Sequence, residues 1–81
     1  MKFKHIVDKT PIQAIQWNGV WSSKISKFVR SSLGNHSFSF ADKSNLLMDD
    51  VIVKRGDWFI KNKLGMLFTC TDKIFKERYK K

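Results

Sequence analysis

The sequence is short of the residues that most often carry chemistry. It has one cysteine, Cys70, so no disulfide can close within the chain and nothing points to an oxidising compartment. It has two histidines, His5 and His36, with no CxxC, HxxxH or HExxH spacing, so no metal-ligand or cofactor pattern emerges. The four glycines are single and scattered, which excludes a glycine-rich phosphate loop. No stretch approaches the roughly 18 apolar residues that a membrane span needs. The opening Met1-Lys2-Phe3-Lys4-His5-Ile6 lacks the apolar core of a signal peptide. These absences lead to the expectation of a soluble, intracellular protein that is not an enzyme. Acidic residues are also few: seven Asp/Glu stand against sixteen Lys/Arg, giving a net charge of +9. Such a surplus suits a polyanionic partner, although lysine also solubilises small proteins and guards sheet edges. Thirteen of the cations are lysine and three are arginine. Forked contacts to bases favour arginine, so general anion attraction fits better than sequence-specific DNA reading.

What is present points to a single small domain over residues 1–81. Apolar residues make up 42% of the chain and aromatics 14%, enough for a packed core despite the short length. Residues 1–10 are basic, and the first few read as a mobile lead. Pro11 can open a strand. Along Pro11–Trp17, Ile12 and Ala14 face one side while Ile15 and Trp17 face the other, so this strand is covered on both faces or bulged near Ala14. Asn18-Gly19 is a turn signal. Residues 22–33 read as an amphipathic helix capped by Ser22 or Ser23, with Ile25, Phe28, Val29 and Leu33 on one stripe and Gly34 just past its end. His36, Phe38 and Phe40 then alternate with serines, as in a half-buried strand. Short strands follow at Leu46–Met48, Val51–Val53, Trp58–Lys61 and Met66–Cys70, separated by the turns Asp49-Asp50, Lys54–Asp57 and Asn62–Gly65. Thr71 or Asp72 caps a final helix, about 72–79, whose Ile74, Phe75 and Tyr79 can dock on the sheet. The fold class expected is α+β: an antiparallel meander of about five or six strands, barrel-like closure included, with one amphipathic helix and one short C-terminal helix.

Each candidate functional residue also has a structural role open to it. A Cys70–His36 dyad is conceivable, but a half-buried strand-end thiol is the simpler reading. Adjacent Asp49 and Asp50 offer too few converging oxygens for a hard cation and suit a solvated turn. Gly56 and Asp57 are accounted for by turn chemistry before Trp58. The cations form three groups: Lys2, Lys4 and Lys9; Lys24, Lys27 and Arg30 on the helix face; and a turn-and-tail set containing Lys54, Arg55, Lys61, Lys63, Lys76, Arg78, Lys80 and Lys81. Trp21, just before the helix, is either a hydrophobic staple or an exposed ring beside those cations. The candidate partner-binding residues are therefore Trp21, Lys24, Lys27, Arg30, Lys54 and Arg55. Catalytic, metal and cofactor residues: none.

The order of motifs resembles a widespread family of small phage and prophage proteins of unassigned function. The resemblance is carried by Lys9-Thr10-Pro11 leading into Ala14-Ile15-Gln16-Trp17, a helix from Ile25 to Leu33, the Gly56-Asp57-Trp58-Phe59-Ile60-Lys61 strand, Gly65, Phe68-Thr69-Cys70, and Ile74-Phe75 with Tyr79. Two positions depart from that pattern. Gln13 stands where Glu is frequent, and Met66 where an acidic residue often follows the glycine. The resemblance implies a viral accessory protein acting in the host cytoplasm, and it implies no activity.

Two functions follow as expectations. The first is a non-enzymatic inhibitor of a host antiviral system. It would either block a protein effector, as anti-CRISPR proteins do, or sequester an anionic signalling nucleotide. The second is a nucleic-acid-binding accessory protein, whose affinity would fall steeply with salt. No membrane partner is expected, and open strand edges permit a homodimer.

Overall fold

The two tryptophan-bearing segments pair with each other. In a computed structural model, which describes residues 2–6, 10–34 and 36–80, strand β2 (Pro11–Gln16) runs antiparallel to β6 (Trp58–Lys61), with Gln16 opposite Trp58 and Gln13 opposite Lys61. The pairing continues past β2. The Trp17 amide donates to Asp57 O at 2.8 Å, and the Gly56 amide donates to Trp17 O at 2.8 Å. Gly56 takes a φ of +100°, which an L side chain resists, so the turn needs glycine there. Asp57 finishes the turn by accepting the Lys54 amide on its carboxylate at 2.9 Å.

Around this pair a five-stranded antiparallel sheet forms in the order β7-β6-β2-β1-β8, where β1 is Lys2–His5, β7 is Leu67–Cys70 and β8 is Tyr79–Lys80. The remaining strands, β3 (Phe38–Phe40), β4 (Leu46–Met48) and β5 (Val51–Val53), make a separate three-stranded meander. The fold class is the expected α+β. The sheet does not close into a barrel, and only β3-β4-β5 follows chain order.

Burial on both faces of β2 explains the open sheet. Ile12 and Ala14 enter a cluster with Phe3, Trp58, Ile60 and Phe75; Trp17, one residue past the strand, enters a second cluster with Ile25, Val29, Leu46, Val53 and Phe59, and Ile15 packs against it. A barrel has one inside, whereas this sheet is covered twice. Helix α2 (Asp72–Arg78) brings Phe75 to one face, stacked on Trp58 with centroids 4.0 Å apart. Helix α1 (Ser23–Arg30) and the meander cover the other. The alternation along β6 is the same device: Trp58 and Ile60 point to α2, and Phe59 joins the opposite cluster.

Several expectations change at element ends. Lys2–His5 is a strand, not a mobile lead, because Phe3 packs edge-on against Trp58 and Phe75 at 5.5 and 4.8 Å. Helix α1 is capped by Ser22, whose hydroxyl accepts the Ile25 amide at 3.3 Å, and it stops at Arg30 instead of reaching residue 33. The Ser31 and Ser32 hydroxyls donate to Phe28 O and Val29 O, competing for the carbonyls that a further turn would use. Leu33 therefore leaves the apolar stripe and is exposed, while its amide donates to Gly65 O at 2.7 Å. Strand β7 starts at Leu67 and leaves Met66 outside it; Tyr79 begins β8 in place of ending the helix, and Ile74 stays exposed. Among the described residues, the edge strands are β7 and β8 in one sheet and β3 and β5 in the other. Lys9 and Lys81, two cations of the sequence reading, lie outside the described residues. No helix among the described residues is long and apolar enough to cross a membrane.

Candidate anion-binding groove

A concavity of about 520 Å³ lies between the end of α1 and the meander. Its walls are aromatic and basic together: Trp21, Phe38 and Phe40 supply rings, Arg30 supplies a guanidinium and His36 an imidazole. Local sequence explains each placement. Trp21 precedes the Ser22 cap, so the start of α1 fixes its backbone. Its half-buried ring rests on Phe38, with centroids 5.4 Å apart. Phe40 meets Trp17 at 5.9 Å and is about half exposed. Arg30 is the last residue of α1 and is exposed, with no ion pair among the described residues.

His36 is held by the β4–β5 hairpin. Its Nδ1 lies 2.5 Å from Asp49 Oδ2, while Asp49 Oδ1 accepts the Ser37 amide at 2.7 Å. The Ser37 amide, then the His36 ring, hold the Asp49 carboxyl below its usual range. An Nδ1–H tautomer donates to Asp49 and leaves Nε2 as an acceptor. Asp49 and Asp50 have φ of +47° and +71°, so the two-residue turn is of the hairpin-forming left-handed type. Asp49 is thus an anchor for a groove residue.

A deeper set of contacts supports the groove from behind. Trp17 is fully buried, and its Nε1 donates to Ser44 O at 2.8 Å. Ser44 is positioned by Asp42, whose carboxylate accepts the Ser44 and Asn45 amides at 3.0 and 2.9 Å. Those amides hold the Asp42 carboxyl below its usual range.

The structure gathers two of the six candidate contact residues in the groove, Trp21 and Arg30. Lys24 and Lys27 are exposed along α1 but do not line it. Lys54 and Arg55 sit on the β5–β6 turn, with the Arg55 stem packed by Gly19, where an added Cβ would lie 3.6 Å from Arg55 Cδ. Sequence reasoning missed Phe38, Phe40 and His36 as wall residues. Their signal was the period-two aromatic run, which reads equally as core. Cys70 belongs elsewhere: it pairs with Trp58 across β6–β7 and packs on the cluster under α2. Burial, then the nearby Asp57 carboxylate, push its thiol up to about 11, so it is protonated and His36 is engaged with Asp49 instead.

Comparisons with protein-family models, curated proteins and solved structures return no match.

Proposed function

We propose that this protein works by binding and that its ligand is a nucleotide-like anion held in the aromatic–basic groove. The observation that carries this reading is the convergence of Trp21, Phe38 and Phe40 with Arg30 and His36 around about 520 Å³. Pockets of about 300–1,000 Å³ suit small ligands. Rings accept a base by stacking, at about 1–3 kcal/mol per base. A guanidinium without an ion-pair partner accepts phosphate in a forked contact. No bond need be made or broken: capture alone removes the ligand from its receptor. The phage-like order of motifs supports placing that capture in the evasion of a host antiviral system, in the host cytoplasm. Sequestration of a signalling nucleotide fits the groove better than occlusion of a protein effector, because the rings line a concavity.

The nucleic-acid reading draws on a different observation, the exposed row Lys24, Lys27 and Arg30 along α1. Calorimetric titration separates the two. A mononucleotide and a cyclic dinucleotide should bind near physiological salt, and Trp21→Ala or Arg30→Gln should weaken them about tenfold or more. Binding of a thymidine oligonucleotide that depends on Lys24 and Lys27 and collapses with salt would favour the nucleic-acid reading. Absence of saturable binding to any of these ligands sinks both.

A further inference from the structure

Lys61, the last residue of β6, is nine-tenths buried with 9% of its surface exposed. Burying an ammonium is unfavourable unless a counter-charge and hydrogen bonds compensate. Its Nζ donates to Ser31 Oγ and lies 4.4 Å from the Phe28 ring centroid. Both partners are neutral. No carboxylate pairs with it among the described residues. An ammonium carries three donors, and one is accounted for.

The surroundings of Lys61 sharpen the anomaly. It opens on a second groove of about 490 Å³, whose lining includes Lys2, Lys63, Gln13 and Asn62 and no acidic residue among the described residues. The register places Lys2 opposite Gln13 and Gln13 opposite Lys61, so the three form one row across β1, β2 and β6. Residues in register share a face of the sheet, which puts two ammonium groups in one row with a polar amide between them. Asn62 is oriented as a donor. Its Oδ1 accepts the Leu64 and Met66 amides at 2.9 and 3.0 Å, which leaves Nδ2 for a ligand. Two residues that are consecutive in sequence, Arg30 and Ser31, line the first and the second groove respectively.

We propose that this second groove binds the phosphoryl group of a small molecule, with Lys61 at its centre, Lys2 and Lys63 flanking it, and the Asn62 and Gln13 amides donating. The bound oxygens supply the counter-charge that Lys61 lacks among the described residues. Desolvation pushes the Lys61 ammonium below its ordinary value, and a bound anion should restore it. The site is independent of the aromatic groove and stands or falls separately.

The test uses the full chain titrated with pyrophosphate at ionic strength matched with sodium chloride. Binding should be saturable at one site per chain, and Lys61→Met should weaken it about tenfold or more. Trp21→Ala should leave it unchanged, since that ring belongs to the other groove. Should Lys61→Met fail to fold, the exposed pair Lys2→Gln/Lys63→Gln provides a second arm with the same expected loss. The site is overturned by absence of saturable binding in the wild type, or by binding that all of these variants retain. A thymidine oligonucleotide that binds more tightly than pyrophosphate in a Lys61-dependent manner would overturn the assignment to a small molecule.

Discussion

Replacing Trp17 by Phe tests how the two sheets are tied together. Trp17 ends the β2 side of the larger sheet, and its indole reaches into the loop of the smaller one to bond Ser44 O at 2.8 Å. It also packs edge-on against Phe59, with ring centroids 6.3 Å apart. Phenylalanine keeps one ring but loses the N–H donor and part of the volume. Leaving a half-buried carbonyl unpaired costs about 1–2 kcal/mol. The void left by the smaller ring adds about 1–2 kcal/mol, a fraction of the about 3–5 kcal/mol for truncating a buried Trp to Ala. Their sum, about 3 kcal/mol, is a large share of the about 4–12 kcal/mol expected for a domain of this size. At about 4–8 °C per kcal/mol, the melting temperature should fall by roughly 12–24 °C. Thermal and urea unfolding can be followed by the fluorescence of Trp21 and Trp58. Trp21→Phe is the control; its half-buried ring should cost under about 1 kcal/mol. Equal, small shifts for the two variants would refute the tie between sheets.

Three further outcomes follow from single residues. Asp50 sits at a φ of +71° on an exposed hairpin turn, so Asp50→Gly should raise stability by about 0.5–1 kcal/mol in urea unfolding. Asp42, Asp49 and Asp72 all have carboxyls held below their usual range by hydrogen bonds, from Ser44, Ser37 and Trp58 first respectively. Groups lowered in the folded state stabilise it above the unfolded carboxyl value of about 3.9 and lose that effect as pH falls through the folded value. A melting temperature that declines on acidification below about pH 4, less steeply in Asp49→Asn, is therefore expected; a flat profile would contradict these hydrogen bonds. Cys70, with its thiol raised from 9.0 to about 11, should alkylate at least about tenfold more slowly at pH 8 than a free cysteine. Reaction at the free-cysteine rate would place the thiol in the wrong environment.

Much of the fold was legible because local signals agreed with one another. The spacing of Ile25, Phe28 and Val29 with a serine cap marked α1, and the period-two runs with Gly or Asp turns marked the strands. Apolar residues on both faces of β2 left open a doubly covered strand or a bulge near Ala14, and the unbroken register with burial on both faces decides for the first. Connectivity was not legible. β2 pairs with β1 and with β6, the latter more than forty residues away along the chain, and nothing local encodes that choice. The strand at Lys2–His5 was hidden by its lysines, because a lone buried Phe3 between cations looks like a solvated end. Helix α1 read too long because the back-bonding of Ser31 and Ser32 depends on geometry, not composition. Of the candidate site, Trp21 and Arg30 were legible from charge and aromaticity. Phe38, Phe40 and His36 were not, since alternating rings do not say whether they face a core or a groove. That no carboxylate among the described residues pairs with Lys61 is likewise a tertiary fact.

The most direct measurement is the shift of the three indole N–H resonances during titration with a cyclic dinucleotide. Trp17 and Trp58 have their N–H groups engaged by Ser44 O and Asp72 Oδ1 at 2.8 and 2.9 Å, so their signals should hold still. The Trp21 signal should move and saturate, together with the amides of Arg30, His36 and Phe38. A titration in which the Trp21 indole stays fixed while the ligand binds, or in which no ligand binds at all, would contradict a groove built for a stacked anion.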